Sequence, residues 1–287
     1  MKALKMCEVT ARYRGADRDS LSRVSFEIEK GEMVLLLGAR GAGKSTLCML
    51  ANGLIPHAIP CTLEGSIETF GRDISSLPVA EHSTKVGIVF QEPENQLFCM
   101  SVEEEVAFGP ENLAVDREEI SERVEWALEI VGLKGYNDRP PSSLSGGQKQ
   151  RLAIAASLSM RPEMLVLDEP AYALDPIGRL ELYSLLTDLK RRHGLTVLIA
   201  GRDAEEAATC VDRVALMSAG RMVRTGTPAE ILAAPEPLRS IGVPPLQVSE
   251  LIEALGKKAK RFEYGAITVD ALAGQIGEAL GEAGTDR

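Results

Sequence analysis

A glycine-rich segment that ends in a lysine and a serine has the residue types and spacing that point most directly to chemistry. It lies between an apolar run, residues 33–37, and a helix-like run, residues 46–53, and consists of Gly38, Ala39, Arg40, Gly41, Ala42, Gly43, Lys44 and Ser45. Glycines let consecutive backbone N–H groups curl around phosphate oxygens, and the following helix adds its positive N-terminal end. The lysine can reach the outer phosphates, and the serine hydroxyl can ligate Mg²⁺. The segment therefore predicts a phosphate-binding loop, and we expect Thr46, the next residue, to contact the same ligand.

Two carboxylates end a second apolar run, residues 164–167. We expect Asp168 to hold Mg²⁺ through water and Glu169 to polarise an attacking water as a general base. Acidic residues often end buried strands simply because they face solvent, so this interpretation depends on the phosphate-binding loop upstream. Gln91 ends another short predicted strand, and its amide is expected to reach the Mg²⁺ shell and a mobile segment.

A third segment stands between a Pro/Ser-rich loop and an alanine-rich predicted helix. Its hydroxyl and glycine N–H groups predict a second anion site at a helix N-terminus, although a simple N-capped helix would have the same pattern. Together with the phosphate-binding loop and the carboxylates, the segment resembles the signature of ATP-binding-cassette (ABC) ATPases, and the resemblance extends from about residue 5 to residue 235. The signature residues are Ser145, Gly146, Gly147 and Gln148.

The resemblance implies an α/β fold, a P-loop NTPase with a mixed sheet, an inserted helical subdomain at about residues 95–160 and a small C-terminal α extension. It places the ATPase domain at residues 1–235 and the extension, by which such ATPases pair, at residues 236–287. The implied ligands are ATP and Mg²⁺. Tyr13 resembles the aromatic residue that stacks on adenine, and Asp175 resembles the D-loop aspartate. In this family the signature of one subunit covers the γ-phosphate bound to another, which implies a dimer.

Two acidic segments, residues 91–98 and 102–113, resemble the energy-coupling-factor branch of vitamin and metal importers. That resemblance implies two membrane partners, a transmembrane coupling protein and a substrate-binding membrane protein, and a peripheral position on the cytoplasmic face of the cell membrane. We expect Glu92, Glu94 and Gln96 near the groove that receives helices of the coupling protein, where carboxylates can meet a basic partner residue.

The sequence departs from the family pattern at Arg202, which occupies the position where similar ATPases have a histidine. An arginine can bind a γ-phosphate bidentately, but it cannot donate and accept as a neutral imidazole does. We therefore expect slow hydrolysis at the site built on this chain's own phosphate-binding loop. The asymmetry favours a second ABC ATPase subunit that is a paralogue over self-association.

Composition limits the function classes further. The 287 residues carry a formal net charge of −10, which disfavours nucleic acid as a partner, and no apolar run is long enough to span a bilayer. The N-terminus is not expected to be a secretory signal, and the five scattered cysteines are expected to be reduced thiols rather than a metal site. Two alternatives remain: a non-transport ABC ATPase, although the gap before the signature is too short for a long coiled coil, and a regulatory nucleotide-binding subunit with a weak site.

Overall fold

A six-stranded sheet forms the centre of the computed structural model, which describes residues 1–76, 78–259 and 266–285. In spatial order the strands are β10 (Arg221–Gly226), β9 (Arg213–Ser218), β3 (Met33–Leu37), β8 (Thr196–Gly201), β7 (Met164–Asp168) and β6 (Val86–Val89). From β9 to β6 all neighbouring strands are parallel, and β10 pairs antiparallel at the edge. Because the carboxyl ends of parallel strands meet at one edge of a sheet, the loops after β3, β6, β7 and β8 converge there.

The central strands are covered on both faces, which explains why their sequences are continuous apolar runs rather than alternating ones. In β3, Met33, Leu35 and Leu37 belong to one hydrophobic core, whereas Val34 and Leu36 belong to the other. Successive side chains of a strand point to opposite faces, so one short strand supports both cores.

A four-stranded antiparallel sheet covers one face, with the helix after the glycine-rich loop between the two sheets. The sheet order is β2 (Leu21–Glu29), β1 (Lys2–Tyr13), β4 (Cys61–Thr69) and β5 (Arg72–Asp73), and the helix is α1 (Lys44–Ala51). Strand β2 alternates buried and exposed residues, as the sequence predicts for residues 24–29. Two short helices, α2 (Leu54–His57) and α3 (Val79–Ser83), complete this side.

Helices cover the opposite face. Three of them, α4 (Val102–Asn112), α5 (Arg117–Ile130) and α6 (Gly146–Leu158), lie where the sequence predicts the helical insertion, and α7 (Pro176–His193) follows β7. Helix α4 begins with a capping box in which the Ser101 hydroxyl and the Glu104 carboxylate each accept a backbone N–H of the other residue. The mixed sheet and the helices confirm the predicted α/β fold class.

The C-terminal part contains α8 (Pro228–Leu232), α9 (Pro235–Ser240), α10 (Gln247–Ala259) and α11 (Val269–Thr285). Residues Leu238, Ile241, Val243 and Leu246 lie beyond the predicted boundary at 235 and still pack in the larger core. A separate small cluster begins at Val248. Residues 260–265 and 286–287 of the predicted extension lie outside the described part. Among the described helices, none is both long and apolar enough to cross a membrane.

Candidate functional site

The glycine-rich loop joins β3 to α1 at the edge where the parallel strands end. Glycine is required at two of its positions, because a Cβ on Gly38 would lie 2.5 Å from the Met217 carbonyl oxygen and one on Gly43 would lie 2.6 Å from the Ser20 carbonyl oxygen. Gly43 also has a φ of 104°, in the left-handed region that favours glycine. The loop and the start of α1 line a cavity of about 590 Å³, so the first N–H groups of α1 are placed to bind an anion.

Lys44 is buried in this loop, with 4% of its side chain exposed. Its Nζ donates to the carbonyl oxygens of Gly38, at 2.8 Å, and of Ala39, at 3.2 Å. The same Nζ lies 3.3 Å from Oε1 of Glu169, and Nε of Arg202 lies 2.7 Å from the other oxygen, Oε2. The carboxylate that the sequence predicts to be the general base therefore lies between two cations.

Asp168 ends β7 and is buried beside Ser45, whose hydroxyl hydrogen-bonds to the carboxylate. Burial raises the pKa of Asp168, and the hydrogen bond from Ser45 opposes that shift. Its Oδ1 is buried and has no hydrogen-bond partner among the described residues. Oxygen ligands from a carboxylate and a hydroxyl suit Mg²⁺, and an unpartnered buried oxygen next to a phosphate-binding loop fits that ion. Gln91 lines the cavity of the phosphate-binding loop, and its contact with the Mg²⁺ shell stays a prediction.

Tyr13 ends β1, and its hydroxyl oxygen lies 3.0 Å from Oγ1 of Thr46 in the first turn of α1. The predicted adenine-stacking residue is thus beside the phosphate-binding loop, and the stacking itself stays a prediction. The cavity of the phosphate-binding loop is also lined by Arg18, Asp19 and Ser20, which the sequence does not predict because no motif marks their loop.

Arg202 follows β8, and its guanidinium lies 4.6 Å from the centroid of the Tyr172 ring. Tyr172 belongs to the loop after β7 and is 57% exposed. A cation over an aromatic face is attracted by the ring quadrupole, so Tyr172 helps to hold Arg202 against Glu169. A cavity of about 480 Å³ beside this pair is lined by Arg40 as well as by Tyr172 and Arg202.

The signature residues lie at the N-terminus of α6. Ser145 and Gln148 form a capping box: the Gln148 N–H donates to Oγ of Ser145 at 3.3 Å, and the Ser145 N–H donates to Oε1 of Gln148 at 3.0 Å. Asp175 caps α7, where its Oδ1 accepts the N–H of Gly178 at 2.7 Å. These two helix starts line a third cavity, of about 560 Å³, together with Gly146 and Gly147, and none of its lining residues belongs to the cavity of the phosphate-binding loop.

Residues 21–172 match the family model described as ABC transporter. The chain belongs to this family. It is 41% identical over 240 residues to the energy-coupling factor transporter ATP-binding protein EcfA of Methanocaldococcus jannaschii, an alignment that covers 83% of this chain and 84% of that protein. The ATPase also spans about half the length, or less, of several curated relatives that it matches.

Solved structures agree with this assignment. The ABC ATPase resembles cbiO1 from Clostridium perfringens, described as part of the ABC transporter complex cbiONQ, with a TM-score of 0.74 and 33% identity over 91% of this chain and 96% of that chain. It also resembles the ATP-binding cassette MJ0796, a dimer bound to ADP and Pi after hydrolysis, with a TM-score of 0.69 and 28% identity over 78% and 98% of the two chains. Similarity to EcfA and cbiO1 supports an ATPase of the energy-coupling-factor type.

In this ABC ATPase the residues after Gln91 make hydrogen bonds and an ion pair within the same chain. The Phe90 N–H donates to Oε1 of Gln96 at 2.9 Å, and Asn95 Nδ2 donates to Glu92 at 2.8 Å. Oε1 of Glu94 lies 2.9 Å from Nζ of Lys149 in α6. The sequence hypothesis expects the Glu94 carboxylate to meet a basic residue of a partner protein. In the structure this carboxylate is already paired with Lys149 of α6, the helix that begins at the signature residues.

An apolar groove runs beside this segment, between the strand β6 and the helices α4 and α6. Gln96 lines it together with Phe98 and Phe108, whose rings meet edge to face at 4.8 Å between centroids. That this groove receives helices of a coupling protein stays a prediction. Phe98 is 63% exposed and Phe108 is 44% exposed, and the neighbouring Met100 is 82% exposed. Large exposed apolar side chains grouped along a groove indicate a protein-binding surface.

Proposed function

We propose that this ABC ATPase is the ATP-hydrolysing subunit of an energy-coupling-factor import complex that works as a head-to-tail dimer of two ATPase subunits. The observation that carries the proposal is that the residues expected to bind and hydrolyse ATP lie at two separate cavities. Lys44, Ser45 and Glu169 line one of them, and Asp168 is buried beside Ser45. The N-terminus of α6 at Ser145, the proposed second anion site, lines the other. The nucleotide site on the phosphate-binding loop of one subunit can be completed by the signature residues of a second subunit.

In the proposed reaction, Lys44 exchanges its contacts with the loop carbonyls for the outer phosphate oxygens of ATP, and the N–H groups of α1 bind the same phosphates. Ser45 and Asp168, with Gln91 beside them, are proposed to hold Mg²⁺, which when bound neutralises charge that develops on the phosphates. Glu169 then accepts a proton from the water whose oxygen bonds to the γ-phosphorus, while the bond from that phosphorus to the β–γ bridging oxygen breaks and ADP leaves. Accepting the proton neutralises the carboxylate and therefore weakens its pairing with the two cations.

Arg202 makes that proton transfer less favourable. Both oxygens of Glu169 have cationic partners in this structure, and the Arg202 guanidinium is also held by the Tyr172 ring. We therefore propose that the site on this chain hydrolyses ATP slowly while its signature serves a partner site fully. This asymmetry supports pairing with a paralogue that carries a histidine at the position of Arg202.

The apolar groove beside Phe98 supports a transmembrane coupling protein as the membrane partner, since exposed phenylalanines can anchor a helix of that protein. A substrate-binding membrane protein would complete the complex, at the cytoplasmic face of the membrane. The proposed cargo is a metal ion or a water-soluble vitamin, as the resemblance of residues 91–98 and 102–113 to the energy-coupling-factor branch implies.

Sedimentation of the full chain with Mg²⁺ and ATP tests the nucleotide sandwich. In Glu169→Gln the bound ATP persists, so we expect ATP-dependent association with the co-purified paralogue or, at higher concentration, with itself. Ser145→Arg should bind ATP but fail to associate, and Lys44→Ala should lose both. A Glu169→Gln chain that binds ATP and forms no dimer would refute the sandwich, and co-purification without any membrane protein would favour the non-transport alternative.

A further inference from the structure

Arg179, in the second turn of α7, joins two loops that the sequence treats as separate motifs. Its Nε donates to the carbonyl oxygen of Leu174 at 3.2 Å, directly before the helix cap Asp175. Its Nη1 lies 3.6 Å from Oδ2 of Asp203 and 3.8 Å from Oε1 of Glu206, in the segment after β8. One planar guanidinium therefore contacts the D-loop and the segment that begins with Arg202.

These contacts lie between two functional cavities. Residues 173–175, 177 and 178 line the cavity of the signature, whereas Arg179 itself lines the cavity that contains Glu169 and Arg202. Asp203 is the chain neighbour of Arg202, whose Nε lies 2.7 Å from Glu169. A displacement of the D-loop carbonyl would therefore be transmitted to Arg202, and through it to the proposed general base.

The surroundings favour a specific arrangement over a loose surface pair. The side chain of Arg179 is 28% exposed and that of Glu206 is 17% exposed, so both are screened less than fully solvated charges. Oε2 of Glu206 is buried with no hydrogen-bond partner in the described part of the chain, which leaves an acceptor for the guanidinium to engage when the loop moves. Arginine has five donors in a rigid fork and stays charged, so it can hold a carbonyl and carboxylates at once.

We propose that Arg179 is a positioning residue that couples the D-loop to the Arg202–Glu169 pair. The inference rests on the proposed function, because the signature cavity beside the D-loop would then border the nucleotide of the partner subunit. Through Arg179 the occupancy of one nucleotide site alters the position of the general base in the other. Arg179 itself touches no reacting atom.

Hydrogen exchange of the full-length chain tests the coupling, at a protein concentration where sedimentation shows a monomer. ATP without Mg²⁺ is the probe. In the unaltered chain we expect ATP to slow exchange in the phosphate-binding loop and to change exchange in residues 173–178 by about threefold or more. In Arg179→Gln the response of residues 173–178 should fall to about 1.5-fold or less while the response of the loop persists. Arg179→Lys keeps the charge without the fork and should give an intermediate response.

Arg192→Gln is the matched control, because Arg192 lies on the same helix, is 75% exposed and pairs only loosely with Asp188, at 3.8 Å. It should leave every response unchanged. A D-loop response that is absent in the unaltered chain, that survives in Arg179→Gln or that disappears equally in Arg192→Gln would overturn the coupling. A phosphate-binding loop that does not respond to ATP in the unaltered chain would instead contradict the proposed function, so the two failures are distinguishable.

Discussion

Replacement of Arg202 by histidine should raise the rate of ATP hydrolysis at the site built on this chain. When Glu169 accepts a proton its carboxylate is neutralised, so the charge-assisted hydrogen bond from Arg202, at 2.7 Å, is weakened or lost. A hydrogen bond of this class contributes about 1.5–3 kcal/mol, and Arg202 is 34% exposed, which favours the lower limit. Since 1.36 kcal/mol corresponds to a tenfold change in rate, the expected increase in kcat is about tenfold.

The assay is steady-state phosphate release by the purified full-length chain, alone and with its paralogue. Arg202→Leu separates two causes, because it removes the hydrogen bond to Glu169 without supplying an imidazole. A rise in kcat in both variants identifies the release of Glu169, whereas a rise only in Arg202→His identifies the imidazole. Glu169→Gln added to either variant should abolish the gain. If kcat of Arg202→His and of Arg202→Leu both equalled that of the unaltered chain, the proposed restraint on Glu169 would be wrong.

Two further predictions concern stability and partner binding. Hydrogen bonds from Lys30 and Lys85 lower the pKa of Glu163 below its ordinary value of 4.5. These hydrogen bonds therefore stabilise the folded chain fully above pH 4.5, and the stabilisation is lost as the pH falls through the pKa that Glu163 has in the folded state. In urea unfolding at pH 7, the free energy of unfolding of Glu163→Gln should be about 0.5–1 kcal/mol lower than that of the unaltered chain. The effect is small because both lysines are half-exposed. An equal loss of unfolding free energy at pH 7 and at pH 3 would contradict this. Phe98→Ser should reduce recovery of the membrane partner several-fold in pull-down from native membranes, whereas Val223→Ser, at a similarly exposed residue of β10, should not; equal recovery would exclude the groove.

The fold class and the composition of the site were predictable from sequence because the motifs mark the ends of buried strands. A glycine-rich loop after residues 33–37 and two carboxylates after residues 164–167 must meet if both runs are parallel strands of one sheet. The pairing of Leu37 with Gly201 and of Asp168 with Ala200 brings Arg202 to the same edge. Local pattern and sheet geometry were sufficient for that much.

Contacts between distant loops were not predictable, since no local pattern records them. Tyr172 and Arg202 lie in different loops, and a tyrosine after two carboxylates resembles an ordinary surface residue until both loops reach the same edge. Glu94 looked available to a partner because Lys149 is 55 positions away along the chain. The backbone at Ile55 is extended inside the segment 54–57, and His57 there lies 2.9 Å from the Ile74 carbonyl oxygen, a contact that no local pattern predicts.

The close approach of Gly242 to the glycine-rich loop bears on how such subunits can be recombined. Gly242 has a φ of 72°, a Cβ there would lie 3.4 Å from that of Ala39, and Gly242 and Pro244 help to line the cavity beside Arg202. Part of the segment that leads to the C-terminal helices therefore lines the cavity that also contains Glu169 and Arg202. A chimera that exchanges the C-terminal segment between paralogues would therefore also replace residues that line this cavity. A change in its ATP turnover could then come from the altered cavity as well as from a different dimer partner.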